Sequence, residues 1–250
     1  MIVCVGLATR DTILAVPHSP EPDGHVFATT RVSAGGGPAA TAAVAIGRLG
    51  VPVRFVGVVD HELEDVDETV PVPGRMPEST ILVAPDGSRT IVAEEPPRLE
   101  LPDGALAGAD WVHVDHVGYR AIGGRCEAKL SVDGGHPIPE LDLGAVDLYA
   151  PPQERDDGSR AKLTVVTRGA DGCVAYTADG TIDVPGHPVD AVSTLGAGDV
   201  FHGALLASLQ RGLGLRAALV HANACAALSC RALDGRSAIP TWDELEAALA

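Results

Sequence analysis

The chain has little positive charge for its size: 18 lysines and arginines stand against 34 aspartates and glutamates in 250 residues, a formal net charge of −16. Such an excess repels a nucleic-acid backbone or an anionic membrane at long range, so neither is expected as a partner. Any anionic ligand has to be held locally, by backbone N–H groups, a metal or a few arginines. Cysteine is also sparse. Cys4, Cys126, Cys173, Cys225 and Cys230 are odd in number and scattered without CxxC spacing, which excludes a disulfide framework and a zinc site and suits a reducing compartment. The opening MIVCVGLATRD lacks a basic segment ahead of its short apolar run, and no window reaches the length of a membrane span, so a cytoplasmic, unexported protein is expected. Internal repeats and low-complexity tracts are missing as well.

Hydrophobic residues make up 46% of the chain, enough to bury the core of one large α/β domain over residues 1–250. The most informative stretch is VDAVSTLGAGDVFHGALLASLQRG, residues 189–212. Gly196, Ala197 and Gly198 leave the backbone nearly bare, and Asp199 opens a segment whose apolar residues recur at helical spacing. A turn of this kind aims N–H groups, reinforced by the helix dipole, at an anion. A carboxylate beside such a hole would repel a resting phosphate. In phosphoryl transfer, however, the N–H cluster stabilises charge on the moving group while the carboxylate takes the proton of the attacking hydroxyl. Taken alone, the same residues also read as a tight turn with Asp199 as the helix N-cap.

In chain order, Ile2 to Val5 reads as a buried parallel strand, and Asp11 follows soon after. Residues 12–34 and the hairpin 79–95, turning at Pro85-Asp86-Gly87-Ser88, form an antiparallel β lid beside the main sheet. Residues 35–50, GGGPAATAAVAIGRLG, make a small-residue helix with proline in its first turn and Gly50 at its end. VRFVGVVD (53–60) is a strand, whereas the acidic and proline-rich 61–78 reads as loop. Four further parallel strands are expected at 111–117, 129–134, 145–150 and 162–172, and helices at 215–233 and 241–250, the last with Thr241 as N-cap and Glu244 completing a capping box. His113, Asp115 and His116 invite a metal reading, but on a strand His116 faces away from the other two.

Two stretches, GGGPAATAAVAIGRLG and STLGAGDVFHGALLASL, resemble in order and separation the signature segments of the ribokinase-like, PfkB-type carbohydrate kinases. The likeness extends to VGLATRD, SRTIVAEE, VTRGADG and LDGRSAIP, and within the family the wording is nearest to sulfofructose kinases and ketohexokinases. The resemblance implies a three-layer α/β/α sandwich with a mostly parallel central sheet and a small β lid, and ATP-dependent phosphorylation of a ketohexose or related sugar with magnesium. It assigns Asp199 as catalytic base and the Gly196, Ala197 and Gly198 amides as anion hole. Asp11, Asp23, Gly36, Gly37 and Thr41 fall on the sugar side, and Thr167, Gly169, Gly172 and Asn223 on the nucleotide side. Glu154, in YAPPQERDD, is the stand-in for an acidic magnesium motif.

Departures from the family's pattern narrow this reading. Ser193 stands where the family has an aspartate at a cation-holding loop, which puts activation by a monovalent cation in doubt. Ala93 and Val117 occupy the positions expected for sulfonate recognition, with Arg120 nearby, so sulfofructose is not implied. The chain is shorter than family members near 61–78 and 118–160, and a bared sheet face implies a homodimer, joined through the lid strands. Two other readings remain. One is a kinase-like fold kept as a non-catalytic sugar or nucleotide binder. The other is an NAD(P)-binding oxidoreductase, since Gly35 to Ala40 fits a loose G-x-G-x-x-A pattern with Asp60 about twenty residues on.

Overall fold

The short, wholly apolar run Ile2–Val5 forms strand β1, with all four side chains buried. It is an interior strand of a nine-stranded sheet, paired on both sides, as expected of a strand without a polar face. The computed structural model describes residues 1–124 and 126–250. After β1 the chain leaves for β2 (Thr9–Ala15) and β3 (Thr30–Gly36), then enters α1 (Pro38–Arg48), β4 (Val53–Gly57) and β5 (Glu68–Pro71). The hairpin β6 (Glu78–Val83) and β7 (Arg89–Ala93) follows, and then β8 (Trp111–Val114), α2 (His116–Ala121), β9 (Lys129–Asp133), β10 (Leu148–Ala150) and β11 (Leu163–Thr167). The last third holds β12 (Cys173–Thr177), β13 (Gly180–Val184), α3 (Ala197–Gln210), α4 (Leu215–Ser229) and α5 (Trp242–Leu249).

The large sheet runs β13-β12-β11-β10-β9-β8-β1-β4-β5, parallel from β5 to β11 and antiparallel over its last two strands. From β1 the chain steps one way to β4 and from β8 the other way to β9, so right-handed crossovers put α1 and α2 on opposite faces. The result is an α/β sandwich with helices on both faces of a mostly parallel sheet. The point where the two directions diverge, between β1 and β8, is where such sheets open a crevice at the carboxyl ends of their strands. Asp115, directly after β8, braces it. Its carboxylate accepts the amides of Leu7 (2.7 Å), Ala39 (3.3 Å), Val117 and Gly118 (2.9 Å each), which ties the loop after β1 to the starts of α1 and α2.

A second sheet, β3-β2-β6-β7, stands beside the first. Its inner face, Ile13, Ile81 and Val83, packs on Leu195 and Leu233, so the small sheet leans on the turn that precedes α3. Helices α1 and α3 lie nearly in backbone contact: a Cβ added at Gly203 would come 2.5 Å from the Ala42 carbonyl oxygen. The run of alanines along α1, every residue from Ala39 to Ile46 buried, makes that approach possible.

Several expectations change. Residues 68–71 are not loop but β5, because an edge strand needs only a few residues paired on one side, Arg54 opposite Glu68 through Gly57 opposite Pro71. The strand expected at 111–117 stops at Val114, since the Asp115 side chain caps α2 and turns the chain into a helix. The antiparallel pair β12 and β13 was not anticipated. The face expected to be bare is covered within the chain, by Leu99, Ala105, Tyr119, Ile138 and Leu141 among others packed into the main core. The dinucleotide-binding reading fails on topology: Gly35–Gly37 ends or follows β3, an edge strand of the small mixed sheet that pairs antiparallel with β2, and Asp60 is an exposed partner of Arg10. Among the described residues no helix is long and apolar enough to cross a membrane.

Candidate active site

The crevice predicted by the strand order is a cleft of about 530 Å³, bounded by β1, the small sheet and the start of α3. Asp11, Gly37, Thr167, Gly196, Gly198 and Asp199 all line it, residues up to 188 positions apart in sequence, 199 against 11. A larger hollow of about 640 Å³, between residues 101–109 and 126–128, shares no lining residue with it and brings no cluster of functional groups together.

Helix α3 starts at Gly196, which is left-handed at φ 73°, a conformation that suits glycine. Gly196 is therefore the N-cap. Asp199, expected as cap or helix opener, lies three residues in, its side chain free of capping duty and turned to the cleft. The anion hole also differs in detail from the expected trio. The Ala197 amide donates to the Thr194 carbonyl at 3.3 Å, whereas among the described residues the Gly198 and Asp199 amides have no backbone acceptor. A Cβ at Gly198 would meet nothing within 4 Å, so the space above that amide is open. The turn before it is pinned by Cys230, whose carbonyl accepts the Val192 and Ser193 amides. Ser193 is buried with its hydroxyl accepting the Leu195 amide at 3.2 Å, so this position offers no carboxylate to a cation.

Asp199 is partly open only because it faces the cleft; protein surrounds it on the other sides. Burial, with the negative charge of Asp133 and a smaller push from Asp115, raises its carboxyl to about 7, while His202 and Arg236 oppose the rise. A carboxylate near neutrality is suited to accept a proton from an alcohol and release it again.

On the opposite wall Asp11 is buried, accepts the Thr9 hydroxyl at 2.7 Å and is pushed above the usual carboxylate range by burial. Gly36 lies against it so closely that a Cβ would sit 2.0 Å from its Oδ2. Gly37, at φ 90°, has the Leu7 carbonyl where a Cβ would be, 2.4 Å away. Arg236, which the sequence did not single out, holds this wall: Nη2 donates to the Gly36 carbonyl at 2.6 Å and Nε to the Thr41 hydroxyl at 3.1 Å. Thr41 is thus buried behind the cleft as the partner of Arg236. Burial lowers the Arg236 guanidinium to about 10, with Asp11 and Asp199 pulling the other way, so it remains charged at neutral pH. Arg89, on β7, donates to the Thr194 hydroxyl at 2.7 Å and links the small sheet to the turn before α3.

Other sequence-assigned residues stand outside the cleft. Asp23 is exposed in the loop between β2 and β3 with φ 59°. Glu154 lies on an exposed 3₁₀ turn, Gln153–Arg155. Gly169 begins another such turn and is exposed, and Gly172 is packed against the Val184 carbonyl. The Asn223 amide is bonded to the Pro185 carbonyl at 3.0 Å, fastening α4 to the end of β13. Among the described residues no three His, Cys, Asp or Glu side chains converge to hold a metal ion.

The family described as pfkB family carbohydrate kinase matches residues 153–242, the span that contains the glycine turn and Asp199. The ATP-dependent ribose-1-phosphate kinase of Halopiger xanaduensis is 29% identical over 99% of this chain and 97% of its own length. In fold, the chain superposes on a nucleoside kinase of Methanocaldococcus jannaschii with a TM-score of 0.83 at 20% identity, covering 99% of this chain and 97% of that one. It superposes on the ribokinase of Cryptococcus neoformans in complex with ADP with a TM-score of 0.84 at 17% identity, covering 98% of each. Residues 153–242 thus carry a pfkB family carbohydrate kinase match, and over nearly its whole length the chain is similar to a kinase of that kind, a phosphotransferase whose acceptor is an alcohol group.

Proposed function

We propose that the protein transfers the γ-phosphoryl group of ATP to a hydroxyl of a small sugar, a ketohexose or a related pentose, and that it works as a homodimer. The observation that carries the reading is the placement of Asp199 inside the cleft, one residue beyond an amide, that of Gly198, with open space above it. The acceptor lies between Asp11, the Gly36–Gly37 backbone and Asp199. Asp199 takes the proton of the attacking hydroxyl as its oxygen bonds to the γ-phosphorus and the bond from that phosphorus to the bridging oxygen breaks, ADP leaving, while the Gly198 and Asp199 amides hold the charge that gathers on the moving group. Thr167 marks the nucleotide end of the cleft. The small sheet, linked through Arg89 to Thr194, closes over the acceptor and keeps out water that would otherwise accept the phosphoryl group. Among the described residues no three carboxylates or other ligating side chains converge, and Glu154 stands away from the cleft, so the phosphates of the nucleotide would be the principal ligands of a magnesium ion. Its chemistry there would be to neutralise phosphate charge.

The retained Asp199 and open amides favour catalysis over a merely binding role. The test is ATP consumption against fructose, ribose, ribose 1-phosphate and a nucleoside, the third because the full-length relative is named for it. One acceptor is expected to turn over, and Asp199→Asn to lower its kcat by about two to four orders of magnitude with little change in KM. Turnover close to wild type in that variant would remove Asp199 from the role of base, and binding of acceptors without ATP consumption would favour the non-catalytic reading.

A further inference from the structure

Beneath Asp199 lies a buried polar layer that the reaction as described does not use. The register of the central strands sets it: His113 on β8 stands opposite Ser131 on β9, and Asp133 on β9 stands opposite Ala150 on β10. His202, one turn after Asp199 on α3, drops into this layer. Its Nε2 is 3.2 Å from the Ala150 carbonyl and its Nδ1 is 3.6 Å from Asp133 Oδ1, an ion-pair distance too long for a hydrogen bond. The His113 ring centroid is 5.6 Å from that of His202, and His113 Nδ1 is 3.0 Å from the Ser131 hydroxyl. Asp133 and His202 are 4% and 6% exposed, and both line the cleft. A charged carboxylate in such a place needs a compensating charge, and His202 is the cation beside it.

We propose that the Asp133–His202 pair is a positioning device for Asp199, with His202 carrying the proton that allows Asp133 and Asp199 to be ionised together in one cleft. The inference rests on the reading of Asp199 as the base. Two carboxylates facing one small volume cannot both ionise freely, and without a cation between them the second would stay protonated at neutral pH and be unable to take a proton from substrate. The charged and titratable groups facing His202 are Asp199 on its own helix, Asp133 from β9 and His113 from β8, while Asp115 and Arg236 bear on Asp199, and His116, with His136 beside it, bears on Asp115 and Asp133. Their balance assigns the charges. For His202, burial favours the neutral ring, but Asp133 and then Asp199 outweigh it and raise its pKa. For Asp133, burial is likewise outweighed, by His202, the Gly135 amide and His113, and its carboxyl is held well below the ordinary range. His113, buried and beside a cation, is driven down to about 3 and stays neutral. The layer therefore holds one positive charge, at His202.

The spacing also has a mechanical side. Asp199 and His202 are three residues apart and project from one side of α3, so fixing the ring on the Ala150 carbonyl fixes the rotation of the helix that carries Asp199. His202 thus acts through Asp199 and not on substrate.

The experiment follows the Asp199 side-chain carboxyl by ¹³C NMR across pH in the full-length protein, its signal identified by its loss in Asp199→Asn, alongside the pH profile of kcat/KM. In His202→Gln, which keeps a donor for the Ala150 carbonyl but no charge, the Asp199 midpoint is expected to rise by about one pH unit or more. The acid limb of kcat/KM should rise with it. In Asp133→Asn, His202 faces Asp199 alone and the midpoint is expected to fall by a similar amount, the double variant lying between the two. Midpoints unmoved in both single variants, with only a lower Tm, would overturn the proposal and leave the layer as packing. Should His202→Gln fail to fold, an unmoved midpoint in Asp133→Asn overturns it alone. Near-normal turnover in Asp199→Asn would instead sink the base assignment, an outcome read separately from the NMR midpoints.

Discussion

At the scale of single residues, the same features that suit Asp199 to accept a proton make it costly to the fold. Its carboxyl is raised to about 7, against about 3.9 for an aspartate in an unfolded chain. Between those values the folded protein binds a proton that the unfolded chain has already lost, so stability falls as pH rises through the interval. The stabilising share is complete below about pH 4 and gone above about pH 7. Asp199→Asn cannot ionise and escapes that loss. It is expected to be more stable than the wild type at pH 8 by about 1 to 2 kcal/mol, a figure reduced for the open cleft beside the carboxyl, and the difference should close below about pH 4. Urea denaturation at the two pH values measures it; a variant less stable than wild type at pH 8 would contradict the burial argument. Asp199 itself was legible because its signal is local, a glycine turn running into a helix. Its partners Asp133, His202 and Arg236 were not, since a strand end, a helix position and a loop arginine look unremarkable until strand register and the fold bring them within reach of one another.

At the scale of elements, the close pairing of α1 and α3 decides where Asp199 stands. Gly203 is the contact point: a Cβ there would lie 2.5 Å from the Ala42 carbonyl and 2.9 Å from Ala45 Cβ, and neither is the tip of a movable side chain. Gly203→Val is expected to cost about 2 to 3 kcal/mol by forcing the helices apart, seen as a lower denaturation midpoint at unchanged slope. A midpoint equal to wild type would mean that the helices are looser than they look. The elements most legible in sequence were those with their own local chemistry. The hairpin closes as its Pro-Asp-Gly-Ser turn suggested, with the Ser88 amide and hydroxyl both on Asp86 Oδ1, and the capping box of α5 has both reciprocal bonds between Thr241 and Glu244. Elements that depend on neighbours were less legible. Glu68–Pro71 has too little pattern to announce an edge strand, and WVHVDHV reads as one strand until four amides converge on Asp115 and turn its second half into a helix.

At the scale of the molecule, the expected homodimer loses one of its two supports and keeps the other. The main sheet is covered on both faces by its own chain, so no partner is needed there. The small sheet differs. Its alternation sends Ile13, Ile81 and Ile91 to the inner face in register, and Thr12, Thr80 and Val92, with Leu14 and Leu82, to the outer one. Val92 is 69% exposed, and β7 is exposed along its whole length at the edge of the sheet. A β-rich outer face whose middle, Thr12, Thr80, Leu82 and Val92, is uncharged, with Arg10, Glu78 and Arg31 toward its margins, is a surface for pairing with another sheet. Sedimentation equilibrium at micromolar concentration is expected to give twice the chain mass of 25.6 kDa. The double variant Leu82→Lys, Val92→Lys, charged on the outer face alone, should sediment as a monomer with its far-UV spectrum intact. Because each chain carries a formal charge of −16, association should also strengthen as salt screens the repulsion between copies. A wild-type monomer at every salt concentration would mean that the outer face is simply solvated, and that closure of the small sheet over the cleft takes place within one chain.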